Sequence, residues 1–337
     1  MTLPKKPKIL VIQPRPGIGD MIWHLPYTRA LARRAASGSV TVLTKSNANA
    51  RSWLSHEPSI DHFIYLDRRL MPLMGLKLRK EKFDEAWVFH ESFSYALVPF
   101  LAGIPRRFGP GLARDQRLLL TNRPLPDETR ELRHIEQMNE MMSRENYDIR
   151  TDDQRLILEK EALKYCDDHF LCYPTPWVTY GVGASDETKT WPLTYFQVLS
   201  KGLAARGAKT FFICGSKSEK DKVMQVTNSL RSMGLGAVPV YDLSLPRVFA
   251  LLSKASLFIG NDSSLLNASA CLGIPSLGLF GATAPLTYSP YMHQILPPEG
   301  IFGKEGMQAI SPEQVLSYVD QKDLLASKVM KKEGTNF

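Results

Sequence analysis

The chain has 337 residues, enough for two domains of ordinary size, and its 44% hydrophobic and 23% charged residues are those of a soluble globular protein. No apolar run reaches the ~18–20 residues that span a bilayer, and the N-terminus lacks a signal-peptide core. Four cysteines without a C-x-x-C pair and seven scattered histidines suggest buried thiols in a cytoplasmic protein, with no metal site and no disulfide frame.

Strand-like apolar runs alternate with helix-like segments along the chain. In the first half the expected strands are 8–13, 39–44, 62–66 and 85–90, with helices near 21–36, 47–55, 69–81 and 92–102. Residues 122–148 open with prolines and become a polar helix. Residues 155–172 read as a strand followed by a helix, and YPTPW (173–177) as a linker. The rhythm then restarts, with strands at 177–183, 209–215, 256–260 and 275–281. Helices are expected at 193–206, 217–232, 245–253, 263–273 and 311–328, followed by a frayed tail. The pattern predicts an α/β protein of two doubly wound, Rossmann-like domains, 1–172 and 173–337, facing across a cleft. The final helix is free to pack back on the first domain.

Charge is uneven. Residues 1–123 hold 20 Lys/Arg and 9 Asp/Glu, residues 124–170 hold 7 and 13, and the rest hold 15 and 12, for a formal net charge of +8. The basic first part favours an acidic partner. Pairs such as Arg33–Arg34, Arg68–Arg69 and Arg106–Arg107 lack the interleaved aromatics of a nucleic-acid groove, so no nucleic-acid partner is expected.

In parallel α/β sheets ligands bind beyond the carboxyl ends of the strands, and four motifs sit there. In PRPGIGDMIW, Gly17 and Gly19 allow a close turn. Asp20 is either a helix cap or a carboxylate suited to general-base work. Ile22 stands where a dinucleotide fingerprint has its third glycine. In YGVGASDETKTWP, Gly183, Ser185 and Lys189 suit a phosphate, or form an ordinary turn with an exposed lysine. In ICGSKSEKDKV, Glu219 is either a first-turn carboxylate or an acceptor for ribose hydroxyls. In LFIGNDSSLLNASACLGIPSLGLFGATAP, Asp262 is placed to accept from sugar hydroxyls. Ser263 and Ser264 offer amides at a helix start.

The order G-x-G-D, G-A-S…K-x-W-P, G-x-x-x-E and D-S-x…A-x-x-L-G-x-P…L-F-G-x-T-x-P resembles family 9 glycosyltransferases, the heptosyltransferases of lipopolysaccharide core synthesis, over roughly residues 8–320. The resemblance implies a GT-B architecture, with acceptor in the first domain and nucleotide-sugar donor in the second. It also implies metal-independent, inverting transfer with ADP-heptose as co-substrate and no other cofactor. Asp20 then matches the base, and Lys189 and Ser185 the donor-phosphate residues. Glu219 matches the ribose acceptor, Asp262 the residue holding the sugar, and Ser263 and Ser264 the diphosphate turn. Gly17, Gly19, Gly183, Asn267 and Thr283 complete the candidate donor site. The partner would be an acidic glycolipid, with peripheral contact at the anionic cytoplasmic face of the inner membrane.

The family pattern has glycine at the position of Ser264 and histidine at that of Asn267, and Asn267 cannot be a cation. Transfer of a different sugar, a catalytically silent nucleotide-sugar-binding or scaffold protein of the same fold, and a Rossmann oxidoreductase remain alternatives.

Overall fold

The structure is a computed structural model and describes residues 6–67, 70–285 and 288–325; Arg68, Arg69 and the tail lie outside them. The chain divides into two compact units, 1–154 and 155–337.

The first unit is built on five parallel strands: β1 (Ile9–Gln13), β2 (Val40–Thr44), β3 (Ile60–Tyr65), β4 (Glu85–Val88) and β5 (Arg106–Phe108). Their order is β3-β2-β1-β4-β5. Every residue of β1, β2 and β4 is buried, as expected of strands covered on both faces. On one face Leu10, Ile12 and Val88 pack with Met71, Leu78, Tyr95 and Val98, which come from helices Met71–Leu78 and Phe93–Leu101. Helix Ile18–Arg34 joins β1 to β2 and buries eleven of its seventeen residues. The helix expected at 47–55 is two short 3-10 turns, Ser46–Ala48 and Ala50–Ser52, because Asn49 between them takes a left-handed φ of 40°.

The second unit holds six parallel strands: β6 (Trp177–Gly181), β7 (Thr210–Cys214), β8 (Gly236–Val240), β9 (Leu257–Asn261), β10 (Ser276–Leu279) and β11 (Met292–Ile295). The order is β11-β10-β9-β6-β7-β8. Helix Leu193–Ala205 carries Phe196, Leu199 and Leu203 into a core with Tyr180, Phe211 and Ile259. The last described helix, Pro312–Gln321, packs on Leu193–Ala205 of its own unit. A Cβ at Gly202 would lie 2.5 Å from Leu316 Cδ1, and Arg206 pairs with Asp320 at 2.6 Å.

The units part at 154/155, not at 172/173. Helix His134–Arg144 belongs to the first unit, where Asn139 accepts from the Tyr27 hydroxyl at 2.8 Å. Asp153 is held there by Arg33 at 2.6 Å. Helix Lys160–Phe170 belongs to the second unit. Arg247 stacks 3.8 Å over Tyr165, and Lys254 pairs with Asp167. The strand expected before that helix is absent. Leu156 lies outside any sheet and donates its N–H to the Cys271 carbonyl at 3.0 Å. No described helix is long and apolar enough to cross a membrane.

Candidate functional site

In the first unit β1 ends at Gln13, and the chain turns through Gly17 into the helix. Gly17 is the N-cap residue and has no side chain to cap with. Asp20, three residues on, accepts its N–H at 3.2 Å. A Cβ on Gly17 would lie 2.6 Å from Asp20 Oδ2, so a side chain there would push the carboxylate off its capping position. Gly19 is inside the first helical turn and has no positive φ; it does not form the tight turn the sequence suggested. Asp20 is thus a cap and, being half-buried beside the C-terminal edge of the sheet, remains a candidate base.

One turn further along, His24 is fully buried and was not picked out by the sequence. Its Nδ1 lies 2.6 Å from the Asp20 carbonyl, so Nδ1 carries the proton and Nε2 is left as an acceptor. Among the described residues Nε2 finds no hydrogen-bond partner. The ring stacks on Trp23 at 3.7 Å and on Phe89 at 5.3 Å, with His134 at 5.7 Å. Burial and the neighbouring His134, Arg15 and His90 hold its pKa well below the ordinary imidazole value. Burial, then Arg15 and His90, push His134 down to about 3. Both rings are neutral at pH 7.

A folded-state pKa below the unfolded value gives stability that is whole above pH ~6.5 and is lost as the pH falls toward the folded value. His134 alone is therefore expected to remove about 1–2 kcal/mol of stability between pH 7 and 5. Thermal unfolding of His134→Gln at the two pH values should show a smaller drop in Tm than the unsubstituted protein. An identical drop would refute the assignment.

In the second unit three of the four strand-end motifs meet. The turn after β6 runs through Gly183 to a 3-10 turn, Glu187–Lys189, capped by Asp186, which accepts the Thr188 N–H at 2.9 Å. Lys189 Nζ lies 3.0 Å from Asp262 Oδ2, and the Thr283 hydroxyl donates to the same oxygen at 2.9 Å. Asp262 follows β9 and precedes helix Ser264–Cys271, so this carboxylate collects one residue from each of two distant loops. Ser263 and Ser264 open that helix, with Ser263 at the N-cap. The Ser263 side chain does not cap, and its Oγ is buried without a hydrogen-bond partner among the described residues. Ser185 is exposed and engages none of this group.

Asn261, passed over in the sequence, holds the loop in place. It is fully buried and accepts the Trp191 N–H at 2.9 Å. It donates to the carbonyls of Val182 at 3.0 Å and Gly183 at 3.3 Å. Trp191 is itself anchored by its indole N–H on the Ile310 carbonyl at 2.8 Å. The signal was an amide side chain ending an apolar strand, where a buried polar group must find partners.

Glu219 bends back over its own turn, accepting the Ser216 N–H and hydroxyl at 2.7 Å each. Its carboxylate also covers Gly183, where a Cβ would fall 1.9 Å from Oε1. This brings the second motif against the third. Asn267 donates to the Ser263 carbonyl at 2.9 Å and accepts from the Tyr288 hydroxyl at 2.5 Å. Burial, with Cys271 and Asp262 nearby, holds the Tyr288 pKa well above the ordinary phenol value, so the hydroxyl keeps its proton. Tyr288 was not anticipated, because its partner is 21 residues away. Among the described residues no group of three His, Cys, Asp or Glu could hold a metal ion.

Residues 73–297 match the sequence profile of glycosyltransferase family 9 (heptosyltransferase). Lipopolysaccharide heptosyltransferase 2 of Salmonella typhimurium is 27% identical over 311 residues, 85% of this chain and 86% of the relative. The solved structure of Escherichia coli ADP-heptose lipopolysaccharide heptosyltransferase II superimposes with a TM-score of 0.76 at 25% identity, covering 95% of this chain and 99% of that one. An Escherichia coli heptosyltransferase solved with ADP shares the fold, with a TM-score of 0.68 at 18% identity over 95% of this chain and 99% of its own. The two parallel sheets are those of the GT-B architecture, and the chain belongs to glycosyltransferase family 9.

Proposed function

We propose that the protein is an inverting, metal-independent transferase that moves heptose from ADP-heptose onto an acidic lipopolysaccharide-core acceptor. The observation that carries the reading is the convergence of Lys189, Thr283 and the Ser263–Ser264 helix start on Asp262. A lysine and helix amides within one turn supply the positive charge that a departing diphosphate needs. Glu219 beside Gly183 would take the ribose hydroxyls, and Asp262 those of the sugar. Asp20 would remove the acceptor hydroxyl proton as that oxygen attacks the anomeric carbon opposite the diphosphate. The excess of 11 positive charges in residues 1–123 suits an acidic acceptor.

A different donor sugar is favoured by one observation. The Asn267 amide is committed to the Ser263 carbonyl and Tyr288, a neutral arrangement at the helix start. A thermal-shift panel of ADP, UDP, GDP, CMP and NAD, followed by turnover with ADP-heptose, separates the readings. A ligand at 100 times its Kd stabilises by about 2.7 kcal/mol. A shift with ADP and turnover of ADP-heptose supports heptose transfer. A shift with UDP or GDP replaces the sugar, and one with NAD alone overturns the reading.

Gly183 gives a separate test. An alanine methyl there would displace the end of the Glu219 side chain, which is flexible, and leave the backbone in place. Gly183→Ala is expected to weaken ADP binding about tenfold, the size of one charge-assisted hydrogen bond, and to lower Tm by no more than a few degrees through the loss of the Glu219 cap on Ser216. Titration calorimetry reads the affinity, and unchanged affinity would remove Glu219 from the ribose site.

A further inference from the structure

Residues 70–80, LMPLMGLKLRK, contain no carboxylate and three cations. They form helix Met71–Leu78 and the turn after it. The inner side of the helix is well packed. Met71 and Leu78 are buried, and a Cβ on Gly75 would fall 2.7 Å from Leu101 Cβ of the neighbouring helix. The outer side is apolar as well: Leu70, Leu73 and Leu76 are 41%, 52% and 51% exposed. A helix that turns a row of leucines toward water has an unmet partner.

The cations identify that partner. Lys77, Arg79 and Lys80 are exposed around the leucines. Phe100 on the adjoining helix is 46% exposed, with the Arg107 guanidinium 5.5 Å over its ring. Glu81, the first carboxylate after the helix, is paired with Lys8 at 3.2 Å. A basic rim around protruding leucines, without an acid in the helix, is complementary to an anionic lipid surface. Leu70 follows β3 on the carboxyl edge of the sheet, the edge that also carries the Gly17–Asp20 turn.

We infer that Leu70, Leu73, Leu76 and Phe100, rimmed by Lys77, Arg79 and Lys80, form a surface that docks the first unit on an anionic bilayer. The purpose of the contact, delivery of a lipid-linked acceptor toward Asp20, rests on the transferase reading above; the surface itself does not.

Flotation of the full chain with phosphatidylcholine vesicles, with and without phosphatidylglycerol, tests it. The protein is expected to float with the anionic vesicles only, and to be released by high salt. Each surface cation strengthens such binding about fivefold, so K77Q/K80Q should weaken it about 25-fold, and L73Q/L76Q should abolish it. An unchanged circular dichroism spectrum and Tm, measured without ligand, show that the variants are folded. Failure of the unsubstituted protein to float on anionic vesicles, or equal flotation of both variants, overturns the inference. So does a dimer in sedimentation that L73Q/L76Q dissolves, because a second copy then covers the patch. Transfer to a lipid-free core oligosaccharide is measured alongside. Its absence with flotation intact rejects the transferase reading and leaves the surface standing.

Discussion

Replacing Asp20 by asparagine is expected to lower kcat by about 10²–10⁴-fold, the usual contribution of a positioned general base, while ADP-heptose affinity stays within about twofold. Asparagine is the informative substitution because Asp20 has a structural duty too. Its carboxylate accepts the Gly17 N–H at 3.2 Å, and an amide oxygen can take over that bond. Alanine cannot, and loss of a cap costs about 0.5–2 kcal/mol, a few degrees in Tm for a chain of this size. Asp20→Asn should therefore be inactive with near-normal Tm, and Asp20→Ala inactive with a lower one. Steady-state kinetics and thermal unfolding of the pair separate the two duties. An active Asp20→Asn with a destabilised Asp20→Ala would leave Asp20 as a helix cap alone.

What could be read from the chain follows from burial. Strands β1, β2, β4, β6, β7, β9 and β10 lie inside their sheets, and their continuous apolar runs announce them. The three strands that went unrecognised, β5, β8 and β11, all lie at sheet edges. β5 is Arg-Arg-Phe, β8 contains Pro239, and β11 contains a histidine and a glutamine. An edge strand need not be apolar on both faces, and it tolerates proline.

The same division holds for the site. Asp20, Lys189, Glu219 and Asp262 stand out as charged residues at strand ends. Asn261, His24 and Tyr288 do their work through partners that sequence spacing does not reveal. The Asn261 amide spans β9 and the loop after β6, about 70–80 residues apart. His24 is tied to the Asp20 main chain and not to its carboxylate. Asp20 itself precedes the residues matched by the family profile, so its role rests on the kinetic test.

The Lys189–Asp262 pair yields a prediction in which two neighbouring substitutions act in opposite directions on the same ligand. The side chains are 24% and 23% exposed and 3.0 Å apart, and Thr283 shares the same carboxylate oxygen. Asp262 occupies the ammonium that a diphosphate would need. Lys189→Ala removes the cation, and ADP affinity is expected to fall by about 10–150-fold, the range for hydrogen bonds to charged groups. Asp262→Ala releases the ammonium and removes a negative charge from the phosphate site, so ADP is expected to bind as well as before or a few-fold tighter. ADP-heptose should lose that advantage, because the sugar hydroxyls lose their acceptor, and its turnover should fall. Titration calorimetry with ADP and kinetics with ADP-heptose read both signs. Were both variants to weaken ADP equally, the pair would be a structural bridge that shapes the loop. Were neither to change ADP affinity, the diphosphate would bind elsewhere. A partly exposed pair contributes about 1 kcal/mol or less to stability. A collapse in Tm for either variant would therefore point to damage in the Asn261-held loop and not to the loss of the ion pair.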